Sequence, residues 1–406
     1  MNEDNMKVLI IGTDINAYYM SRCYHELTSK KADTIGNRAI PYTNITNPII
    51  IKDFNNKENF KKALIEYGEK NKKYKILLIA TSDKYVKMVS EEKSLLEKYY
   101  VFNYPEINIV NNLLIKEKFY SIYKDMGLDM PNTYIYKCNQ NDDINKIKKY
   151  FKEYPIIIKP SDGVEYHNLE VTLDKVYKVK NEEELKEVVS KIEKSGYSDN
   201  LIIQEFIPGD DSALFDSIFY VGKNKKAQIA TFAQIGLQER TPTGIGNCTV
   251  LVNGYDEHGY KEELIYKLKE FLEKIGYQGF AEFDMKYDFR DQKYKVLEIN
   301  PRQSRSGYYV CASGNNLIKY LIDDLIYNKE KEFKIIKEKL VLSFVPKKII
   351  KKYIENNKLK KEIKEIIKNK KIINPLKYKK DKNLKRKLYL LYRDFNYLKK
   401  YKKYKF

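Results

Sequence analysis

The chain is poor in the residues that most metal and covalent chemistry requires, with 4 Cys and 3 His among its 406 residues. Cys23, Cys138, Cys248 and Cys311 lie far apart in the sequence, form no CxxC pair and have no His at metal-ligand spacing. Neither a disulfide framework nor a zinc site is therefore favoured. Cysteine usage of this kind is typical of a protein in a reducing cytoplasm.

Several other signatures are missing from the sequence. His25, His167 and His258 lie in unrelated contexts, without a Ser/His/Asp or Cys/His arrangement, so we expect surface or packing roles for them. No GxGxxG follows the first predicted strand and no GxxxxGK[ST] occurs, so neither a dinucleotide fingerprint nor a P-loop is present. The apolar run near the N-terminus is too short for a signal peptide or a membrane span, and we expect a soluble protein.

The positive charge of the chain is concentrated at one end. The formal net charge is +20, and residues 346–406 hold 24 of the 76 Lys and Arg but only 5 of the 56 Asp and Glu. Within this basic tail, the Lys-rich run 358–368 places Ile363, Ile366 and Ile367 on one helical face, which allows an amphipathic segment. Contact with an anionic membrane surface and a solvated, partly disordered extension both fit this composition.

Two strand-to-helix units predict a parallel α/β domain near the N-terminus. Residues 7–13 form an apolar strand, and residues 17–27 favour the helix that follows. A second unit begins at residues 75–83 and continues into residues 85–89. Ligands of open α/β sheets usually bind at the carboxyl ends of the strands. The candidate contacts at these ends are Asp14, Asn16, Ser82 and Asp83.

A pair of alternating strands carries the acidic candidates. Alternation places Glu298 and Asn300 on one face of a strand, and the polar residues 288–293 favour a turn before it. In a hairpin centred near Asp291, Asp284 falls nearly opposite Glu298. Opposed like charges destabilise a sheet, and a cation such as Mg2+ between these oxygen ligands removes the conflict. The alternative is an exposed hairpin whose acids pair with neighbouring lysines.

Two stretches that precede this hairpin in the chain have features suited to nucleotide binding. Residues 155–160 form a short apolar strand that contains Lys159 at its end, which suits a phosphate, although an edge lysine that extends to solvent is the alternative. Residues 200–207 form a strand whose Gln204 and main chain suit an adenine edge, with Asp211 beyond it for a ribose hydroxyl. An edge strand followed by a turn is the plainer interpretation of that second stretch.

Two further segments have local sequence features that indicate their structure. Residues 111–126 have helical character and end at Gly127, with Pro131 soon after. The glycine-containing loop 240–247 begins with Arg240 and suits either an anion or a simple turn.

Taken in chain order, these stretches resemble the ATP-grasp superfamily, and most closely its D-aspartate ligase group of carboxylate-amine ligases. The resemblance runs from about residue 7 to residue 325 and leaves the basic tail outside. The loop 161–163 and Cys248 depart from the family pattern, which leaves the amino-acid substrate open. The stretches that carry the resemblance are 114–120 with 127–131, 159–160 with 164–166, 204–212, 241–247, 280–287 and 298–306.

The resemblance implies an α/β architecture, an ATP-grasp fold preceded by a Rossmann-like parallel α/β (pre-ATP-grasp) domain. The expected division is 1–110 for the Rossmann-like domain, 111–330 for the ATP-grasp domain with central and C-terminal subdomains, and 331–406 for a basic tail that is helical or partly disordered.

The resemblance also implies a role for particular residues. ATP phosphates would be contacted by Lys116 and Lys159, adenine by Gln204 with the main chain of Glu205 and Ile207, and the ribose by Asp211. The Mg2+ ligands would be Asp284, Glu298 and Asn300. The γ-phosphate or an acyl phosphate would be held by Arg302, with Arg240 and Arg305 as further phosphate or substrate contacts.

The activity implied is that of a carboxylate-amine ligase that uses ATP and Mg2+ and forms an amide through an acyl phosphate. In the group that the chain resembles, the acid is D-aspartate and the amine is the lysine side chain of a UDP-linked peptidoglycan stem peptide. We expect a cytoplasmic enzyme, with the tail at the inner face of the cell membrane as one option. An ATP-grasp ligase for another amino acid or peptide, and a nucleic-acid-binding protein that uses the tail, are alternatives. No nucleic-acid module accompanies the tail, so no specific nucleic acid is expected.

Overall fold

The computed structural model describes residues 5–138, 143–162, 166, 173–174, 176–241, 244 and 246–404. Some residues of the motifs singled out above lie outside the described residues, namely Gly163, Val164, Glu165, His167, Pro242, Thr243 and Ile245.

The N-terminal part is a parallel five-stranded sheet in the order β3-β2-β1-β4-β5. The apolar runs of its two central strands are buried, as parallel strands covered by helices require. The predicted parallel α/β region is therefore confirmed. The strands are β1 (Met6–Ile11), β2 (Ala32–Gly36), β3 (Thr46–Ile50), β4 (Lys75–Ala80) and β5 (Tyr100–Val101), and the helices are α1 (Ile15–Thr28), α2 (Lys57–Lys70), α3 (Asp83–Glu91) and α4 (Lys93–Leu96).

The helix expected over residues 111–126 is instead two helices, α5 (Ile107–Leu114) and α6 (Lys116–Ile122). Ile115 between them has an extended backbone, with φ −85° and ψ 108°. The break follows from contacts of the second helix's start, because the main-chain N–H of Lys116 donates to the Ser161 carbonyl at 3.4 Å. As a result, Lys116 lies at the first turn of α6 beside the end of another strand.

A four-stranded antiparallel sheet follows, in the order β6-β9-β7-β8. Lys159 and Gln204 lie on its two adjacent central strands, where Ile157 pairs with Gln204 and Lys159 pairs with Ile202. Its elements are β6 (Thr133–Tyr136), α7 (Ile144–Tyr150), β7 (Ile156–Pro160), β8 (Tyr177–Val179), α8 (Glu182–Lys194) and β9 (Leu201–Glu205).

The largest sheet has nine strands, and the predicted hairpin forms one edge of it. Asp284 pairs with Glu298 and Glu282 pairs with Asn300, so the register expected from the sequence is confirmed. Elements contributed before residue 330 are β10 (Leu214–Val221), β11 (Ala227–Thr231), β12 (Ala233–Gln238), β13 (Cys248–Asn253), α9 (Glu262–Lys274), β14 (Gly279–Asp288), β15 (Lys293–Asn300), α10 (Tyr308–Ala312) and α11 (Leu317–Leu325).

The basic tail is folded onto the body throughout its described part, so the option of a solvated, disordered extension is wrong there. Three of its strands join the nine-stranded sheet, with β17 pairing to β13. Leu359, Ile363 and Ile366 are buried against residues of β12 and β13, because the apolar face foreseen in the sequence meets the sheet. The elements are β16 (Lys334–Ile336), β17 (Leu340–Ser343), α12 (Lys347–Tyr353), α13 (Asn357–Lys368), β18 (Ile372–Ile373) and α14 (Leu384–Lys403).

The end of the chain is also tied to its beginning. Asp381, just before α14, forms an ion pair with Arg386 at 2.9 Å and accepts hydrogen bonds from Tyr18 at 3.0 Å and Thr43 at 2.8 Å. The Arg386 guanidinium lies 3.7 Å from the centroid of the Tyr18 ring. This arrangement fixes α14 beside α1.

The division of the chain at residues 110 and 330 stays a prediction.

Within the part of the chain that the structure describes, no helix is both long enough and apolar enough to cross a membrane.

Packing of the tail predicts unequal effects for two apolar truncations. Ile363→Ala removes a side chain that is 1% exposed, so we expect it to lower the free energy of unfolding by about 2–5 kcal/mol. Leu388→Ala, at a position that is 58% exposed, is the matched control and should change it by less than about 0.5 kcal/mol. Urea denaturation followed by circular dichroism measures both. Equal, small effects would mean that the tail does not pack as described.

Candidate active site

A group of carboxylates lies on the face of the nine-stranded sheet at its hairpin edge. Asp216 of β10 pairs with Asp284 of β14, and Asp284 pairs with Glu298 of β15. Oxygen atoms of Asp216, Glu282 and Asp284 all lie within 4.8 Å of one another. Asn300 donates through Nδ2 to Asp284 Oδ2 at 3.2 Å. The register thus brings together the three predicted Mg2+ ligands and adds Glu282 and Asp216 beside them.

The electrostatics of this group favour a cation. Desolvation raises the pKa of Glu282 to about 8, and desolvation with the charge of Glu282 raises the pKa of Asp284. Desolvation also raises the pKa of Asp216, although Tyr309 and Ser306 donate hydrogen bonds to it. Crowded carboxylates of this kind ionise together only if positive charge is supplied. Oxygen ligands in this number fit Mg2+, so the residues present suit the metal.

Two lysines approach the same group from the other side of the cleft. Lys116 Nζ lies 3.8 Å from Glu298 Oε2, and Lys159 Nζ donates to Gln204 Oε1 at 3.3 Å. Desolvation, followed by repulsion from Lys116, lowers the pKa of Lys159 to about 8. Desolvation opposes ionisation of Glu298, but the charges of Lys116 and Lys159 hold its pKa below the usual value. Two cations above a carboxylate edge form a setting for a polyphosphate bridged by a metal ion.

The predicted adenine contacts lie on β9 and its exit. Gln204 is buried and its amide nitrogen donates to Thr133 at 2.8 Å, which orients the side chain towards Lys159. The main-chain N–H of Glu205 donates to Asn132 at 3.1 Å, and its carboxylate pairs with Arg290, so that side chain is already engaged. Ile207 is buried at the strand exit.

The predicted ribose contact, Asp211, lies in a cavity of about 420 Å³ together with Arg240. Asp211 accepts hydrogen bonds from the Gln238 main chain at 3.0 Å and its side chain at 2.9 Å. Arg240 lies 3.5 Å from Asp211. The structure therefore places Arg240 with Asp211, in a different cavity from the one that Arg302 and Arg305 line.

Arg302 and Arg305 line a second cavity of about 550 Å³. Arg302 is held by Asp83 at 2.9 Å and Glu282 at 3.0 Å, whereas Arg305 is held by Glu239 at 2.9 Å. The candidate contacts at the ends of β1 and β4 reach this cavity, so the carboxyl edge of the parallel sheet and the hairpin end meet there. Its other lining residues are Asp14, Ile15, Asn16, Thr81, Ser82, Asn247, Tyr389, Tyr392, Arg393, Asn396, Tyr397 and Lys400.

Sequence reasoning missed the residues of this cavity that come from the tail. Tyr389, Tyr392, Arg393, Asn396, Tyr397 and Lys400 recur at spacings of three and four, which places them on one side of α14. The signal was present in the sequence, but only the fold shows what that face meets. Glu282 was detectable in the same way, since it alternates with Asp284 on one strand.

The histidines and cysteines in the described residues have packing contacts. His258 stacks on Tyr287 with ring centroids 3.8 Å apart, and His25 Nδ1 lies 3.0 Å from the Tyr378 hydroxyl. The four cysteines are free thiols, as expected. Cys23 and Cys311 nevertheless contact each other, with their sulfur atoms 2.8 Å apart, which the spacing in sequence did not indicate.

Comparison with known proteins relates this architecture to one family. Residues 115–306 match the family model described as an ATP-grasp domain. The chain is 32% identical over 418 aligned residues to a D-aspartate ligase of Enterococcus faecium (strain Aus0004), an alignment that covers 99% of this chain and 97% of that protein. The similarity therefore includes the basic tail, which sequence reasoning had wrongly placed outside it.

Solved structures share the fold at low identity. An N5-carboxyaminoimidazole synthetase from Staphylococcus aureus complexed with ADP has a TM-score of 0.61 at 15% identity, over 82% of this chain and 81% of that one. An L-amino acid ligase from Bacillus licheniformis has a TM-score of 0.57 at 16% identity, over 79% and 74%. A biotin carboxylase domain from Hydrogenobacter thermophilus, in complex with MgADP, ADP and bicarbonate, has a TM-score of 0.61 at 16% identity, over 80% and 70%.

The lowered pKa of Lys159 predicts pH-dependent nucleotide binding. The ammonium form attracts phosphate and is lost above about pH 8, so the affinity for ADP without divalent cations should fall between pH 7 and pH 9. Calorimetric titration at several pH values measures this change. Lys159→Arg should flatten the profile because arginine stays protonated, whereas Lys118→Arg, at an exposed position on α6, should keep it. A flat wild-type profile would contradict the assignment of Lys159.

Proposed function

The chain belongs to the ATP-grasp family and is an ATP-dependent ligase, and we propose that it joins D-aspartate to the lysine side-chain amine of a UDP-linked peptidoglycan stem peptide. At the coarser level it is a carboxylate-amine ligase. The observation that carries the proposed substrates is the similarity to a D-aspartate ligase along almost the whole chain, tail included. The arrangement of lysines, carboxylates and arginines around the cleft supports the same chemistry.

In the proposed reaction, a substrate carboxylate oxygen attacks the γ-phosphorus of ATP, the bond to the ADP oxygen breaks, and an acyl phosphate forms. The amine nitrogen then attacks the acyl carbon, phosphate leaves, and the nitrogen loses a proton to give the amide. Phosphoryl transfer requires little covalent help from a protein, so catalysis depends on charge stabilisation and alignment.

Each group of side chains has a role in this scheme. Lys116 and Lys159 bind phosphate oxygens on one side, and Arg302 stabilises charge on the transferred group from the other side. Asp284, Glu298 and Asn300 would hold Mg2+, which supplies further positive charge to the phosphates. The adenosine would lie at the exit of β9, between Ile207 and Asp211.

Catalysis should depend on both proposed substrates and on the carboxylate group. We expect ADP and phosphate release, assayed across D- and L-amino acids, to require D-aspartate together with the lysine-containing stem peptide. Glu298→Gln should lower kcat by about 100-fold or more, because it weakens metal and phosphate positioning. Glu97→Gln, at an exposed position directly after α4, should leave kcat unchanged. Turnover with a different acid or amine would keep the ligase assignment and reject these substrates.

We also propose that α14 attaches the enzyme to an anionic membrane surface. Its solvent-facing side carries an apolar stripe at spacings of four and three, namely Leu384, Leu388, Leu391, Phe395 and Leu398, all of them exposed. Residues 384–403 hold eight Lys or Arg and one Asp. An apolar stripe with basic flanks is typical of helices that lie in a membrane interface. The like charge of two such helices disfavours pairing with a second copy.

Membrane attachment predicts binding to vesicles that depends on lipid charge. The enzyme should sediment with vesicles of phosphatidylcholine and phosphatidylglycerol but not with phosphatidylcholine alone, and high salt should release it. The double variant Leu388→Glu with Phe395→Glu should abolish binding, whereas Ile122→Glu, an exposed apolar position on α6, should not. Vesicle binding that survives the double variant would reject α14 as the attachment site.

A further inference from the structure

Residues that line the 550 Å³ cavity carry four side-chain atoms that are buried and lack a hydrogen-bond partner among the described residues. One of them, Asp83 Oδ1, lies in an ion pair 2.9 Å from Arg302 Nε, and the other three are Glu239 Oε2, Arg305 Nε and Arg393 Nε. Glu239 follows β12, Arg305 follows β15, and Arg393 lies on α14. Buried polar atoms in folded proteins are nearly always paired, with protein, water or a ligand. Three unpaired atoms in one cavity, from three distant parts of the chain, therefore point to a bound group.

A single tyrosine fixes the positions of these three side chains. The Tyr397 hydroxyl donates to Glu239 Oε1 at 2.5 Å and lies 3.0 Å from Arg393 and 3.3 Å from Arg305. Arg305 also contacts Glu239 Oε1 at 2.9 Å. One oxygen of Glu239 thus has two partners, while its other oxygen and the two Nε atoms have no hydrogen-bond partner among the described residues. The cluster, defined as Glu239, Arg305, Arg393 and Tyr397, is held in place before any ligand binds.

The chemistry of the cluster specifies its ligand. Two guanidinium groups require a hydrogen-bond acceptor with negative charge, and a carboxylate matches their planar geometry. The free oxygen of Glu239 requires a donor with positive charge, such as an ammonium group. A carboxylate and an ammonium group bonded to the same carbon atom are the α-groups of an amino acid.

We propose that Glu239, Arg305 and Arg393 bind the α-ammonium and α-carboxylate groups of the acid substrate, so that the tail supplies an amino-acid-recognition residue. The proposal rests on the ligase function above and refines it. With the α-groups held at the cluster, only a second, side-chain carboxylate is free to meet the transferred phosphate near Arg302, which lines the same cavity. The site would thus admit an amino acid with a second carboxylate and place that side-chain group at the transferred phosphate, in keeping with the D-aspartate proposed above.

Other charged residues around the cavity have partners or positions that differ from those of the cluster. Asp83 is paired with Arg302, which leaves that acid engaged. Asp14 caps α1 by accepting from the main-chain N–H of Ala17 at 3.0 Å. Lys400 lines the cavity about two turns beyond Arg393 on α14. The volume of about 550 Å³ falls within the range of small-molecule sites and exceeds what a four-carbon amino acid fills, which leaves room for the incoming amine.

The test compares D-aspartate with two analogues that each lack one α-group, namely succinate, without the ammonium group, and 3-aminopropanoate, without the α-carboxylate. ADP release is measured with stem peptide and saturating MgATP. In the wild type, both analogues should have kcat/KM values about 10- to 100-fold below that of D-aspartate, as expected for the loss of one charged hydrogen-bonding group.

Two variants should lose complementary parts of this discrimination. Glu239→Gln should raise the KM for D-aspartate about 10- to 100-fold and remove the preference over succinate, while the preference over 3-aminopropanoate remains. Arg393→Ala should remove the preference over 3-aminopropanoate and keep the preference over succinate. Arg393→Lys should restore part of the affinity for D-aspartate. The KM for ATP should stay unchanged in each. Lys387→Ala removes one charge from an exposed position on the same helix and should behave like the wild type.

The outcomes separate this inference from the proposed function. Variants that keep the wild-type KM, or that lose both preferences equally, would overturn the zwitterion site while the ligase activity stands. If the wild type turns over another amino acid, its deamino and decarboxy analogues replace those of D-aspartate in the same comparison. Calorimetry with MgADP present measures amino-acid binding directly, and a wild type that binds no amino acid would reject both the site and the proposed substrates. Thermal unfolding of each variant checks that it is folded.

Discussion

The crowding of carboxylates along one edge of the large sheet is the constraint on which the site depends. Asp216, Glu282, Asp284 and Glu298 lie side by side across three strands, where water cannot fully screen their repulsion. The registers of β10, β14 and β15 together create this cost. Either protonation of the acids or positive charge offsets it, and neighbouring parts of the chain contribute positive charge through Lys116, Lys159 and Arg302.

This constraint explains why residues from separate sheets converge. Lys159 belongs to the small antiparallel sheet and Lys116 to the helix that starts beside it. Arg302 forms an ion pair with Asp83 at the start of α3. Lys116 lies beside Glu298, and Arg302 is shared between Glu282 and Asp83, so these three cations do not balance the four crowded carboxylates. A bound metal ion would add positive charge beside the acids, and a polyphosphate would add negative charge beside the lysines. The two bound together would therefore balance the charges of the cleft better than either bound alone.

The parts of the structure that could be predicted are those set by local pattern. Period-two alternation and a polar turn sufficed to place Asp284 opposite Glu298, because hairpin register depends on neighbouring residues. The break at Ile115 depends on a contact with residue 161, and the cluster of Glu239 and Arg393 joins positions more than 150 residues apart. Such contacts carry no periodic signal. The family resemblance pointed to lysines and carboxylates that the structure brings to one cleft, but it ended before the tail and therefore missed the part that α14 has in the cavity.

The tie between residues near both ends of the sequence has a consequence for cleavage of the chain. Asp381 and Arg386 join the start of α14 to Tyr18, and α14 supplies one wall of the 550 Å³ cavity. Val8 of β1 and Leu376 of the tail are buried in the same apolar core, so the tail does not pack as a separate unit. Proteolytic removal of α14 would therefore open the cavity and uncover apolar side chains that Tyr397 and Tyr401 now cover.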